Sequence, residues 1–158
     1  MLLCPTYVLT MQFLSFSLID ENQFILPGSS LAQVLSLDPS QIAPIPDIHP
    51  SVMGVCNWRG QALWVVDLAY LLGFGALFSQ GLSYPKHSVI VIRSQGKFLG
   101  LAVYKMGASI GYEGVELQPA PTIINPQLAL CLKGQIASPE GKKILVLDAD
   151  AIVNFLGQ

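Results

Sequence analysis

Length, composition and charge narrow the class of protein at once. The chain has 158 residues, of which 52% are hydrophobic and only 11% charged, with eight basic and ten acidic side chains and a formal net charge of -2. No basic cluster matches the phosphates of a nucleic acid, so a nucleic-acid partner is excluded. A chain this apolar is expected to leave some hydrophobic surface for a partner to cover, which favours a docking module.

The first residues look like a tail rather than a membrane segment. Residues 1–19 carry no charge, but proline and polar side chains interrupt them and no basic residue flanks them. Neither a membrane span nor a secretory signal fits this pattern. We therefore expect residues 1–12 to form an N-terminal tail, with no direct insertion into a membrane.

The first half of the chain reads as two hairpins, a crossing and a short helix. Residues 13–18 alternate apolar and polar side chains and are followed, after a polar turn, by the apolar run 24–26, which predicts a β-hairpin. Pro39, Pro44, Pro46 and Pro50 then indicate an extended connection between the two hairpins, called the crossing below. A second hairpin turns at residues 58–61, and Asp67 is placed to cap a short helix that ends at Gly73.

The second half repeats this order. Residues 89–92 and 98–103 flank a polar turn, a further proline-marked crossing follows, and residues 138–141 have the proline and glycine of a type I turn. Asp148 then occupies the capping position of a helix that ends at Gly157. The two capping aspartates are 81 residues apart.

The repeat predicts an all-β architecture. Four or five strands and one helix cannot bury both faces of an open sheet, so we expect two small barrels packed on a shared hydrophobic interface, with short helices. Residues 13–157 form a single domain in this interpretation, with repeat halves at 13–74 and 88–157 and a link at 75–87.

Chemistry that would indicate an enzyme is sparse. The chain has two histidines, His49 and His87, and neither belongs to a nucleophile or metal motif. Three cysteines, Cys4, Cys56 and Cys131, are far apart and form no Cys-x-x-Cys pair, so we expect reduced thiols in a cytoplasmic protein and no zinc site. These patterns predict a protein with no catalytic residues, no metal and no cofactor.

One segment resembles a known signature. Its residues are Gly54, Val55, Asn57, Arg59, Gly60, Val66, Asp67 and Leu68. These positions resemble the signature of the CheW family, which is Gly-Val-x-Asn-(Leu/Ile)-Arg-Gly, then apolar residues and Val-Asp-Leu. The order of elements resembles that family over roughly residues 12–156.

The resemblance implies both a fold and a function. It implies two SH3-like barrels and a non-enzymatic adaptor that couples the cytoplasmic tip of a chemoreceptor to the regulatory domain of a CheA-type histidine kinase. Such an adaptor would be cytoplasmic and would join membrane receptor arrays through its partners, in a chemotaxis, type IV pilus or phototaxis pathway.

The family's receptor contacts map onto specific positions of this chain. They lie near the Asn-x-Arg-Gly turn and in the groove between the barrels. The receptor-binding candidates are Asn57, Arg59, Gly60, Leu31, Ile42 and Gly54.

Four positions depart from the family pattern and leave alternatives open. Trp58 replaces an aliphatic residue, Trp64 a common proline, Gln33 a frequent glutamate and Tyr104 a usual aspartate. The loss of charge at Gln33 and Tyr104 is also consistent with an altered partner or with a divergent paralogue that no longer signals. A third interpretation is a barrel that binds a small ligand in a groove lined by Trp58, Trp64 and His49.

Overall fold

A computed structural model describes residues 10–18, 23–75, 86–113, 116–122 and 125–156. Within these ranges the chain is mostly β, which confirms the predicted fold class. The strands are β1 (Thr10–Ser17), β2 (Gln23–Pro27), β3 (Leu31–Leu37), β4 (Val52–Trp58), β5 (Gln61–Asp67), β6 (His87–Ser94), β7 (Lys97–Val103), β8 (Lys105–Glu113), β9 (Leu132–Ala137) and β10 (Lys143–Leu147). The helices are α1 (Leu68–Leu71), α2 (Pro126–Leu130) and α3 (Ala149–Leu156).

The strands form two five-stranded sheets, and neither sheet follows one half of the chain. Barrel A has the strand order β8-β1-β2-β10-β9, and barrel B has the order β3-β6-β7-β5-β4. The β1–β2 hairpin pairs through β2 with β10, and the β6–β7 hairpin pairs through β7 with β5, both in parallel. The two halves of the chain therefore exchange their first hairpins.

The exchanged hairpins are apolar on both faces because each face is buried in a different core. In β6, Val89 and Val91 point into barrel B, while Ile90 and Ile92 point into the interface between the barrels. A strand alternates its side chains between two faces, so a strand buried on both sides reads as a continuous apolar run.

The largest core lies between the barrels. It combines β1, β2, β6 and β7 with all three helices, and this interface accounts for much of the high apolar content. Its fully buried members with the largest side chains are Phe16, Leu18, Leu26, Leu68, Leu71, Leu72, Ile90, Ile92 and Leu101.

In each barrel, the proline-marked connection runs beside an edge strand and pairs with it, which closes the barrel. Ala43 pairs with Val55 of β4, and Gln118 pairs with Gln135 of β9, as isolated antiparallel bridges. The crossing can approach closely because a glycine lies beside it: a Cβ on Gly134 would collide with the carbonyl oxygen of Gln118. Gly134 also has a φ of 156°, which disfavours other residues.

The capping aspartates occupy equivalent places in the two barrels. Asp67 accepts a hydrogen bond from the backbone N–H of Tyr70 at 3.2 Å, and Asp148 accepts one from the N–H of Ala151 at 3.2 Å. These bonds satisfy N–H groups that have no partner within the first turn of each helix. Gly73, with a φ of 88°, follows α1, while Gly157 lies outside the described residues.

The ends of the predicted segments differ in detail. β1 already begins at Thr10 and pairs there with Glu113 of β8, while residues 1–9 lie outside the described ranges. Most of the link at 75–87 also lies outside them, and His87 starts β6. None of the described helices is long and apolar enough to cross a membrane.

Replacing Gly134 with alanine should destabilise the protein through the closure of barrel A. We expect Gly134→Ala to lower the free energy of unfolding by about 2–3 kcal/mol, because it combines an unfavourable φ with a backbone collision. Gly141→Ala is the matched control, since Gly141 also has a positive φ but a Cβ added there would meet no atom within 4 Å. If urea unfolding shows an equal decrease in the free energy of unfolding for both variants, the close approach of Gln118 to Gly134 does not contribute to stability.

Stability should fall in mildly acidic solution because of His87. Burial lowers the pKa of His87 from 6.5, and the Asp67 and Asp38 carboxylates offset part of that change. The His87 imidazole is therefore protonated at a higher pH in the unfolded chain than in the folded chain. The free energy of unfolding is not reduced by His87 above about pH 6.5, and it decreases as the pH falls from there through the lower pKa of the folded state. Urea unfolding between pH 7.5 and pH 5 should show a smaller decline for His87→Gln than for His49→Gln, and parallel curves would contradict this role.

Candidate partner-binding site

The central feature of the candidate site is the tight turn between β4 and β5. Arg59 and Gly60 have φ values of 51° and 75°, which is the backbone of a two-residue type I′ hairpin turn. The N–H of Gly60 donates to the side-chain oxygen of Asn57 at 3.2 Å. Asn57 and Gly60 thus shape the turn, and Arg59 occupies a left-handed position that costs a non-glycine residue about 1 kcal/mol.

Arg59 is held against its own barrel. Its Cζ atom lies 4.5 Å from the centre of the Trp58 ring, a cation–π geometry. Its Nη2 donates to Oε1 of Gln33 at 3.2 Å. Arg59 is nevertheless exposed, and no described carboxylate pairs with it, so its charge remains available to a partner.

Gln33 and Trp58 join the two edge strands of barrel B. Nε1 of Trp58, at the end of β4, donates to Oε1 of Gln33 in β3 at 3.0 Å. The Trp58 ring is 6% exposed and packs 4.9 Å from the ring of Phe98. One amide oxygen therefore accepts from both Trp58 and Arg59, so the bond that closes the barrel also orients the arginine.

The other candidates lie in two separate places. A Cβ on Gly54 would lie 3.1 Å from Cγ2 of Ile42 and would collide with the carbonyl of Ala43, so these residues meet where the crossing closes barrel B. Leu31 pairs with Ile92 and packs against the core between the barrels. The structure thus groups Asn57, Arg59 and Gly60 at the turn, Gly54 with Ile42, and Leu31 at the interface.

Two of the departures from the family pattern interact with each other. Gln33 and Trp58, 25 residues apart in the chain, are hydrogen-bond partners across the barrel edge. The sequence marks both residues as unusual but does not reveal their contact, because the closure of the barrel alone brings them together. Tyr104 and Trp64 are both exposed, at 43% and 41%.

A groove of about 640 Å³ lies elsewhere on the molecule. His49 and Trp64 line it, as the ligand-binding interpretation expected, but Trp58 does not, because its ring points into barrel B. The remaining lining is mainly apolar, and none of the six receptor-binding candidates contributes to it.

The described thiols have the properties of core residues. Burial raises the pKa of Cys131 to about 11, with a further contribution from the Asp148 carboxylate, and burial also raises the pKa of Cys56. Both thiols are therefore protonated near neutral pH. Among the described residues, no group of three or more His, Cys, Asp or Glu side chains could hold a metal ion.

The Gln33–Trp58 bond should contribute measurably to stability. Trp58→Phe removes the N–H donor but keeps an aromatic ring, and Gln33→Met removes the acceptor with a similar volume. In a double-mutant cycle measured by urea unfolding, we expect a coupling energy of about 0.5–1.5 kcal/mol. Additive effects of the two substitutions would show that the bond does not hold the edge strands together.

The sequence of the chain is similar to those of known proteins. The family model described as "CheW-like domain" matches residues 12–156. The chain is 29% identical over 142 residues to the chemotaxis protein CheW of Thermotoga maritima, covering 90% of this chain and 87% of that protein. It is 24% identical over 134 residues to the chemotaxis protein CheW of Rhizobium meliloti, covering 85% and 82%.

A solved structure shows the same fold. The crystal structure of the scaffolding protein TtCheW from Thermoanaerobacter tengcongensis superposes with a TM-score of 0.74 and 21% identity, covering 91% of this chain and 92% of that one. Since the family model spans nearly the whole chain and the fold agrees, the chain belongs to the CheW-like family.

Proposed function

We propose that this protein is a non-enzymatic cytoplasmic adaptor that couples a chemoreceptor to a CheA-type histidine kinase. The observation that carries the proposal is the exposed guanidinium of Arg59, which is held in place at the β4–β5 turn and pairs with no described carboxylate. The two relatives named as chemotaxis proteins and the neighbour described as a scaffolding protein support the same role.

The geometry of the turn suits recognition of a receptor helix. A guanidinium forms strong hydrogen bonds with carboxylates and backbone carbonyls, and its planar fork favours a defined approach. The contacts to Trp58 and Gln33 already restrict the Arg59 side chain, so less conformational entropy is lost when a partner binds.

A kinase-binding surface fits on barrel A. Two leucines outside its strands, Leu117 and Leu130, are 46% and 63% exposed. Leu117 lies beside Gly134, next to the crossing that closes this barrel. Both side chains are therefore available for an apolar contact with a partner. Separate surfaces on the two barrels would allow one adaptor to hold a receptor and a kinase at the same time.

A three-component binding assay tests this proposal. The wild-type protein should bind the kinase regulatory domain and a receptor cytoplasmic fragment from the same cell with micromolar or lower dissociation constants, and should bring both into one complex. Arg59→Glu should weaken receptor binding by roughly tenfold or more, because a buried charge contact would become repulsive, and should leave kinase binding unchanged.

Arg93→Glu is the matched control, since Arg93 is exposed on β6 and the change in charge is identical. An unchanged receptor affinity for Arg59→Glu would remove Arg59 from the site. No binding of either partner by the folded wild-type protein would overturn the adaptor proposal and favour a paralogue that no longer signals or a ligand-binding barrel.

A further inference from the structure

The groove of about 640 Å³ is lined by none of the residues that we propose for receptor or kinase binding. Val66 of β5 and Leu99 of β7 belong to the core between the barrels and also line the groove. Trp64, which is 41% exposed, and Val153 of α3 line it as well. The groove is thus an opening into the interface core. Its lining also includes Phe98, whose ring lies 4.9 Å from that of Trp58 beside the β4–β5 turn.

The internal repeat identifies the equivalent place in barrel A. The N–H of Asp67 donates to the carbonyl of Ser51 at 2.7 Å, and the N–H of Asp148 donates to the carbonyl of Cys131 at 2.8 Å. The two capping aspartates and their acceptors are therefore structural counterparts. Residues at equal distances from the two aspartates can be compared on this basis.

The counterpart of Leu99 in barrel A is Phe24. In the parallel pairs, Val65 lies opposite Gly100 and Val146 lies opposite Ile25, and each valine is two residues before its capping aspartate. Leu99 and Phe24 directly precede Gly100 and Ile25, and both belong to the interface core. The surface over Phe24 therefore corresponds to the floor of the groove.

An aromatic side chain of the chain itself covers the barrel A position. The ring of Phe74 lies 5.9 Å from that of Phe24 and packs against the interface core. Phe74 reaches this place because α1 ends at Leu71 and the left-handed Gly73 reverses the chain.

The corresponding phenylalanine in the other half, Phe155, also packs against the interface core but does not line the groove. Phe155 follows Asp148 at the spacing with which Phe74 follows Asp67, seven residues. But α3 continues to Leu156, so Phe155 stays on the helix and its ring contacts His49 at 5.9 Å in an edge-on arrangement. Within the described residues, Phe74 covers Phe24 in one half, whereas in the other half Leu99 lines an open groove.

A positive charge borders this open place. Lys97 lines the groove and is exposed, and no described carboxylate pairs with it. Its ammonium group therefore favours an occupant that carries a negative charge beside its apolar part.

We propose that the groove binds a segment of a partner protein that inserts an aromatic side chain over Leu99 and places a carboxylate near Lys97. The aromatic ring of the partner would cover Leu99 as Phe74 covers Phe24 in barrel A. The exposed indole of Trp64 would pack against one side of that ring. None of the six receptor-binding candidates lines this docking surface, so the inference does not rest on the adaptor proposal.

Blocked dipeptides test the two features independently. Acetylated, amidated Asp-Phe is titrated into the full-length protein and followed by NMR at the Trp64 indole and the Val153 and Leu156 methyl groups. It should bind with a millimolar dissociation constant, more than tenfold more tightly than Asp-Ala because the ring provides most of the buried apolar area. It should bind roughly twofold to fivefold more tightly than Asn-Phe, the range expected for a solvent-exposed ion pair.

Two variants assign the contacts. Lys97→Met should abolish the preference for Asp-Phe over Asn-Phe and preserve the preference for the ring. Trp64→Ala should weaken Asp-Phe at least fivefold, while Tyr70→Ala, which removes an exposed aromatic ring outside the groove, should leave it unchanged.

Several results would overturn the assignment. These are the absence of shifts at the groove with 20 equivalents or more of dipeptide, equal binding of Asp-Phe and Asn-Phe, and tighter binding of phenylacetate than of the dipeptide, which would indicate a small-molecule site. A dimer in sedimentation that Trp64→Ala dissociates would make a second copy of the chain the occupant.

Discussion

The rest of the structure depends on the burial of two hairpins on both of their faces. The β1–β2 and β6–β7 hairpins each contribute one face to a barrel interior and the other to the core between the barrels. Since each hairpin joins strands from the other half of the chain, neither barrel can form without residues from both halves. The interface is therefore a condition of folding rather than a later association, and it joins both barrels in one hydrophobic unit.

This arrangement provides a rigid base for the candidate binding surfaces. The turn that carries Arg59 connects two strands of barrel B, and the Gln33–Trp58 bond fixes it to the opposite edge strand. The groove beside Trp64 opens directly onto the interface core. Side chains on tightly packed strands keep their positions. Both surfaces can therefore bind a partner without a large loss of conformational entropy. The internal repeat has therefore produced two halves with the same strands but with different exposed sites.

Much of the fold was predictable because its signals are local. Apolar segments on either side of a polar turn marked the β1–β2 and β6–β7 hairpins, and the glycine and capping aspartate in each half marked equivalent turns and helix starts. The crossings concealed β3 and β8, which run before the prolines that indicate extended connections. The candidate turn was also predictable, since the Asn-x-Arg-Gly motif defines a hairpin by its own backbone preferences.

The sequence alone determined the hairpins, the repeat, the helix caps and the position of Arg59 at a hairpin tip, because each depends on neighbouring residues. Only the tertiary structure decided which barrel each hairpin joins, because a hairpin that is apolar on both faces fits either sheet by local criteria. It likewise decided that Gln33 orients Arg59, and that Phe74 covers Phe24 while Phe155 does not line the groove over Leu99. Those contacts depend on barrel closure and on where each helix ends, and both are set by packing between distant segments.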